Sequence, residues 1–316
     1  MSQMSSESSQ STQKKVAHLL YCPFTGLGMY GGYRGKRWLR NRIKIFKQFV
    51  VPSLKTQTNQ NYILWVSWRY EDRNNPLVQE FKTWLECEIP PVVFTYAGVC
   101  FWDDKYPDDV AFNRLIDSVH GSLGELLNYI GEAEEILMTI QPSDDCYDIH
   151  AVEEIQKTFR DNPDFQALGF KKGYVMNYLT KEIREWNPKT NPPFFTIRFP
   201  RKIFEDPRAH VEYTGPYKSH EYIGDKLKYA TFNEQRGFIV GTHGENISTV
   251  FNHPFAGEKV NISVLKEFGL DNVSPLEIKI SLRKIIMRKL PVGWQKKLRY
   301  LFGEKFFNKF YEFIRS

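Results

Sequence analysis

The sequence predicts an α/β protein whose mostly parallel, mixed sheet is flanked by helices. Short apolar segments alternate along the 316-residue chain with longer segments in which apolar residues recur every three to four positions. This alternation is typical of parallel strands joined by right-handed helical crossovers. Hydrophobic residues make up 41% of the chain, which is enough for a large core and excludes wholesale disorder.

The predicted elements follow one another in a regular order. In the first helix, Leu39, Ile43, Phe46 and Val50 share one face, and Pro52 is expected to end it. The predicted strands are 16–22, 62–68, 92–96, 136–140, 194–199 and 238–242, with further strands in 165–178. The predicted helices are 38–51, 111–132 and 148–160. Ligands of such sheets bind where strands end, which directs attention to loops 23–35, 68–75 and 141–148.

The charges are divided between two basic blocks and an acidic body. The net charge is +6, but residues 14–70 carry +11, residues 71–281 carry −12 and residues 282–316 carry +8. A uniformly basic nucleic-acid binder is therefore disfavoured, and no nucleic-acid partner is expected.

Three regions are expected along the chain: a disordered leader (1–13), one globular domain (14–275) and a basic amphipathic helical tail (276–316). The leader lacks an apolar stretch, and the four cysteines are widely spaced, so we expect free thiols in the cytoplasm. The tail combines an aromatic stripe with many cations, which suits an anionic membrane surface contacted through 282–316. The alternative is a C-terminal helix docked on the core.

The first loop contains the pattern G-x-G-x-x-G at Gly26, Gly28 and Gly31. A dinucleotide site would need an acid about twenty residues later, and no Asp or Glu occurs between Glu7 and Glu71. A loop over an anionic ligand, with Arg34 meeting phosphate, is favoured over that reading. A solvated, turn-rich loop is an equal alternative.

Adjacent carboxylates follow an apolar strand at Asp144 and Asp145. Oxygen ligands of this kind suit Mg²⁺ or Mn²⁺, usually with substrate phosphates completing the shell. The alternative is that these residues and Asp148 cap the next helix.

A second polar segment, 242–249, follows the last predicted strand. His243 can supply a nitrogen ligand or orient a phosphate. The alternative is a turn in which Asn246 or Ser248 is the N-cap. Earlier in the chain, Glu221 is a candidate general base, although surface glutamates are common.

Together these segments resemble a family of GT-A-type glycosyltransferases described as rhamnosyltransferases. The resemblance spans about residues 16–255 and rests on W-L-R-N-R-I-K-I-F (38–46), P-S-L-K-T-Q-T (52–58), N-Y-I-L-W (61–65), the Asp144-Asp145 loop and H-G-E-N-I-S-T (243–249). The sequence departs from the family's D-x-D-D loop at Pro142, which stands where the first acid is usual.

The resemblance implies a GT-A-like fold and transfer of a sugar from a nucleotide-sugar to a glycan or lipid-linked acceptor. Mn²⁺ or Mg²⁺ would be held by Asp144 and His243. The basic tail adds the expectation that the enzyme acts at the inner face of a membrane. The expected nucleotide-sugar-binding residues are Thr25, Arg34, Asp145 and Asn246. Glu221 would be the base of an inverting reaction. The alternatives are a non-catalytic binding or scaffold protein, which Pro142 makes plausible, and a nucleotidyltransferase.

Overall fold

The structure is a computed structural model that describes residues 14–25, 35–97, 108–214, 220–244, 246 and 251–278. The predicted leader, Arg34, the glycine pattern and the tail beyond residue 278 lie outside the described residues. Within the described ranges, no helix combines the length and the apolar character needed to cross a membrane.

Ten strands form in the described part of the chain. They are β1 Val16–Pro23, β2 Ile63–Ser67, β3 Val92–Thr95, β4 Glu135–Ile140, β5 Cys146–Tyr147, β6 Ala167–Asn177, β7 Ile183–Trp186, β8 Phe195–Pro200, β9 Tyr229–Thr242 and β10 Ala256–Lys259. The helices are α1 Lys36–Ile45, α2 Val51–Lys55, α3 Pro76–Glu88, α4 Asp108–Ile130, α5 Ala151–Asp161, α6 Arg201–Glu205, α7 Pro207–Thr214 and α8 Ile223–Lys226. Short 3₁₀ turns cover Tyr70–Asp72, His220–Tyr222 and Ile262–Phe268.

The strands join in one mixed sheet of order β10-β7-β6-β8-β4-β1-β2-β3, with β9 beside β6 and β5 beside β9. β1 pairs in parallel with β2 and β4, β2 with β3, and β6 with β9. The strand β8 runs antiparallel to β4, with Thr139 opposite Thr196. This mixed sheet, flanked by helices, confirms the predicted α/β class.

Helices cover both faces of the parallel strands. Leu19 and Tyr21 of β1 pack in a cluster with α4, whereas Leu20 and Cys22 pack in a second cluster with α1 and α3. Successive side chains of a strand point to opposite faces, so a strand covered on both sides must be largely apolar. That is why 16–22 is apolar apart from His18, which has buried hydrogen-bond partners.

The first helix does not end at Pro52 as predicted. It runs from Lys36 through a π-helical turn, Phe46–Val50, into α2, which ends at Lys55. Proline has no N–H and its ring clashes with the carbonyl four residues earlier in a regular α-helix. The π turn changes the backbone spacing before Pro52, and the buried Val51 and Leu54 hold the continuation against the core.

A buried polar chain crosses the sheet at His18. Its Nε2 donates to Thr139 Oγ1 at 2.7 Å, Thr139 and Thr196 share a 2.6 Å hydrogen bond, and Gln156 Nε2 donates to His18 Nδ1 at 3.1 Å. Both ring nitrogens are therefore used by the neutral imidazole. Burial lowers the pKa of His18 to about 3.

We expect His18 to make the protein less stable in acid. Between its ordinary value of 6.5 and about 3, the unfolded chain binds a proton that the folded chain does not, so stability falls with falling pH. The slope from one such group is about 1.4 kcal/mol per pH unit. Denaturant unfolding from pH 6 to 4 should show that slope reduced in His18→Gln.

The control is Thr139→Val, which removes the hydrogen-bond partner but keeps the titrating ring. It should lower the free energy of unfolding at every pH and leave the slope as in the wild type. Equal slopes for His18→Gln and wild type would contradict the assignment.

Candidate active site

The polar site lies where β4 and β9 end. Pairing of β5 with β9, Cys146 opposite Ile239, brings the loop after β4 against Gly241 near the end of β9. A Cβ at Gly241 would lie 2.3 Å from the backbone oxygen of Asp144 and 2.3 Å from the ring of Tyr178. Only glycine allows this close approach, and it places the Asp144 side chain beside His243.

Asp144 is held by two cationic or polar side chains. Its Oδ2 lies 2.5 Å from a terminal nitrogen of Arg42 and accepts a 3.0 Å hydrogen bond from His243 Nε2. Arg42 and His243 are buried, and the Asp144 side chain is 16% exposed. The helix α1 and the end of β9 thus converge on one carboxylate that still reaches the surface.

The pKa values of the two adjacent carboxylates shift in opposite directions. Burial alone would raise the pKa of Asp144, but the charge of Arg42 and the hydrogen bond from His243 hold it well below its ordinary value. Burial and the neighbouring charge of Asp144 raise the pKa of Asp145 well above its ordinary value. The pKa of Asp144 is therefore shifted toward the ionised form and the pKa of Asp145 toward the protonated form.

Asp145 faces inward, where its Oδ1 accepts a 2.8 Å hydrogen bond from the Gly241 N–H. Its backbone oxygen accepts from the side chain of Gln141 at 2.9 Å. These contacts fix the loop geometry around Asp145. Its expected role toward a nucleotide-sugar stays a prediction.

The capping alternative applies to Asp148 in part. Asp148 Oδ1 accepts from the His150 N–H at 2.8 Å just before α5, whose N-cap position is His150. The contacts of the Asp144 and Asp145 carboxylates given above are with other elements, so these two residues are not helix caps.

The side chain of Asn246 forms hydrogen bonds to the backbone at the end of β9, and its role as an N-cap stays a prediction because residues 247–250 lie outside the described residues. Asn246 Oδ1 accepts from the His243 N–H at 2.8 Å, and its side-chain nitrogen donates to the Gly241 oxygen at 2.6 Å. Asn246 therefore fixes the backbone that presents His243. Whether it also contacts a nucleotide-sugar stays a prediction, and Ser248 lies outside the described residues.

Side chains of the P-S-L-K-T-Q-T segment (52–58) form hydrogen bonds to the backbone that follows Asp144 and Asp145. Ser53 Oγ donates to the Tyr147 oxygen at 2.8 Å, and the Gln57 side chain donates to the Asp148 oxygen at 2.7 Å and accepts from the Val152 N–H at 3.1 Å. Buried polar side chains need such partners. This motif thus has a structural role in positioning Asp144.

Thr25 lies in a second polar cluster, after the ends of β1 and β2. Its hydroxyl donates to Asp72 at 2.6 Å and accepts from the Arg69 N–H at 3.1 Å, and the side chain of Arg69 forms two hydrogen bonds to Asp72. Thr25 is buried. It stands at the predicted edge of the sheet, where β1 and β2 end.

Glu221 is attached to the same edge of the sheet. Because β8 is antiparallel to β4, the loop that precedes β8 lies where β4 ends. Glu221 Oε1 accepts from Thr190 Oγ1 in that loop at 2.7 Å, and Glu221 is exposed. Its role as a base stays a prediction.

Sequence reasoning missed Arg42, Tyr178 and Asp72. Arg42 is not one of the apolar residues that define the core face of the first helix, although it lies inside the first motif of the resemblance. Tyr178 donates to the Asp144 backbone oxygen at 2.9 Å and stacks on Phe49, with ring centroids 3.7 Å apart. Asp72 lies in loop 68–75, which the sequence places near a ligand, but the sequence does not indicate its hydrogen bond with Thr25.

The oxygen and nitrogen of Asp144 and His243 fit a divalent cation when the His243 proton is on Nδ1, which frees Nε2 as a ligand. Two ligands that lie about 2.1 Å from one ion at a right angle are about 3 Å apart, the separation seen between Asp144 Oδ2 and His243 Nε2. Within the described residues, no group of three or more His, Cys, Asp or Glu side chains is arranged around one ion position. A cation here would therefore need further oxygen ligands from a bound phosphate or water.

Comparison with known proteins gives distant structural similarities. The chain matches no protein-family model and no curated protein sequence. It is similar to the crystal structure of S. aureus TarS, with 11% identity and a TM-score of 0.38, over 72% of this chain and 37% of that one. It is also similar to a "putative nucleotide-diphospho-sugar transferase" from Desulfovibrio desulfuricans G20, with 12% identity and a TM-score of 0.30, over 70% and 80% of the two chains. Similarities at this level assign no activity.

Proposed function

We propose that this chain is a glycosyltransferase that moves a sugar from a nucleotide-sugar donor to a glycan or lipid-linked acceptor. The observation that carries the proposal is the partly exposed Asp144 at the end of β4, held between Arg42 and His243. Ligands of α/β sheets bind at this edge, and perturbed carboxylates there are typical of functional sites.

The chemical demand of sugar transfer is the charge that develops on the leaving nucleoside diphosphate. Positive charge placed in advance near that group lowers the barrier. Asp144 and His243 would hold Mn²⁺ or Mg²⁺, which supplies such charge when bound. Asp145 and Asn246 keep this pair in place, Thr25 and Arg34 belong to the nucleotide side, and Glu221 would accept the acceptor's proton in an inverting reaction.

Release of nucleoside diphosphate tests the proposal. The protein is incubated with Mn²⁺ and a panel of UDP-, GDP- and dTDP-sugars, including dTDP-rhamnose because of the family resemblance. Release from one donor, increased by an acceptor, is the expected result. No release from any donor, together with no binding of UDP, GDP or dTDP, would instead support a binding or scaffold protein.

We also propose that the protein acts on the cytoplasmic side of a membrane, with 282–316 as the contact. Near the start of this region, the Lys44 side chain donates to the Glu277 oxygen and the Gln48 side chain to the Ser274 oxygen. Residues 274–277 therefore lie beside the cationic face of α1, which carries Lys44 and Arg40.

Deleting 282–316 is expected to reduce flotation with anionic vesicles and to leave neutral vesicles unbound in both forms. The deletion removes a charge of +8 and the aromatic stripe. A full-length variant with Lys296→Glu and Lys297→Glu is the matched control for charge and should float less than wild type. Equal flotation of the full-length and shortened proteins would refute a membrane role for this region.

A further inference from the structure

Arg42 is a buried cation at the centre of the site. It is 6% exposed, and its guanidinium contacts Asp144 at 2.5 Å and Ser143 Oγ at 3.3 Å. It also lies 5.4 Å from the centre of the Trp38 ring. Its Nε is buried and has no hydrogen-bond partner among the described residues. The guanidinium is thus held by Asp144 and Ser143 at the edge of the sheet where Asp144 reaches the surface.

The Arg42–Asp144 ion pair affects the order in which a cation and a diphosphate can bind. Arg42 already neutralises Asp144, and it does so at Oδ2, the same oxygen that accepts from His243. A divalent cation that approached this oxygen alone would meet the positive charge of Arg42 at close range. An anion is attracted by the guanidinium and repelled by Asp144, so each ligand is opposed by one partner of the ion pair. The planar guanidinium is the side chain best suited to bind phosphate oxygens.

We propose that Arg42 binds the diphosphate of the donor, and that its ion pair with Asp144 keeps divalent cations off this carboxylate until the diphosphate arrives. The proposal rests on the proposed function, because it assigns Arg42 to the leaving group of that reaction. Diphosphate and cation then favour each other's binding, as reciprocal coupling between two ligands requires. Arg42 also gives the site affinity for a diphosphate without any metal.

Two binding measurements test this without turnover. Inorganic pyrophosphate is titrated in EDTA by calorimetry, and Mn²⁺ is titrated without phosphate by electron paramagnetic resonance. Arg42→Met should bind pyrophosphate at least about tenfold more weakly and Mn²⁺ at least about tenfold more tightly, the effect of one charge-assisted contact. The control is Arg40→Met, an exposed arginine of the same helix, which should match the wild type in both titrations.

A second variant guards against misfolding, because Arg42→Met leaves Asp144 without its cation. The double variant Arg42→Met with Asp144→Asn removes both charges. It should bind pyrophosphate as weakly as the single variant and show no gain in Mn²⁺ affinity, since that gain needs the carboxylate. Unchanged pyrophosphate binding in the double variant, absent binding in the wild type in EDTA, or unchanged Mn²⁺ affinity in folded Arg42→Met would overturn the proposal.

These outcomes separate the role of Arg42 from the transferase activity. Arg42-dependent pyrophosphate binding with no release from any sugar donor would sustain the diphosphate site and reject the glycosyltransferase. Release from a sugar donor, together with pyrophosphate binding that is unchanged in Arg42→Met, would sustain the glycosyltransferase and reject the diphosphate site at Arg42.

Discussion

Replacing Asp144 with Asn is expected to lower kcat/KM for nucleoside diphosphate release by about 10³-fold, the scale of losing one preorganised charged group at a reacting centre. The carboxylate that is ionised beside Arg42 and His243 becomes a neutral amide of nearly the same shape. Its affinity for a divalent cation is lost, and the positive charge of Arg42 is left unbalanced. Steady-state kinetics with the donor found in the panel measure the loss.

Stability must be separated from chemistry in this comparison. Removing one partner of a buried ion pair costs about 3–5 kcal/mol, so thermal unfolding of each variant is measured beside its kinetics. The control Asp161→Asn removes an acid that pairs with Lys157 on the exposed side of α5 and should keep wild-type activity. A folded Asp144→Asn protein with more than a tenth of wild-type kcat/KM would contradict a catalytic role for this carboxylate.

Gly241→Ala is expected to disturb the site from its backbone. The added methyl group would lie 2.3 Å from the Asp144 oxygen and from the Tyr178 ring, so one of them must move. Overpacking of this kind costs about 1–3 kcal/mol, and a shift near 1 Å at a reacting group costs about 10²-fold in rate. Chemical denaturation and donor release should both report the change.

Gly124→Ala is the matched control for a glycine replacement. Gly124 lies in α4 and has open space where a Cβ would stand, so alanine should stabilise the helix by about 0.5–1 kcal/mol and leave activity unchanged. Wild-type activity in Gly241→Ala would show that the position of the Asp144 loop is not critical.

The strands that position the site follow from the sequence because they are covered on both faces. β1, β2 and β4 are largely apolar, with His18 and Thr139 as polar exceptions, and the carboxylates after β4 and the histidine after β9 were placed at the correct edge. β9 is much longer than predicted, because its first half, 229–236, is half-buried or exposed and carries polar residues without a strand pattern. Its pairing with β6 is a tertiary effect that local sequence does not encode.

The inward direction of Arg42 could not be predicted from helical periodicity. The apolar stripe of α1 places it off the core face, and the sequence carries ten other cations in residues 14–70. The decisive partner, Asp144, is 102 residues away and reaches Arg42 only through the sheet. The pairing of Arg42 with Asp144 could therefore be identified only from the structure.

The most direct test of the central claim is a crystal structure with Mn²⁺ and the nucleoside diphosphate that binds best. We expect the diphosphate to bind beside Arg42 at the ends of β1 and β4, with the cation contacting Asp144 and His243. A nucleotide bound elsewhere on the protein, with the Arg42–Asp144 pair untouched, would contradict it.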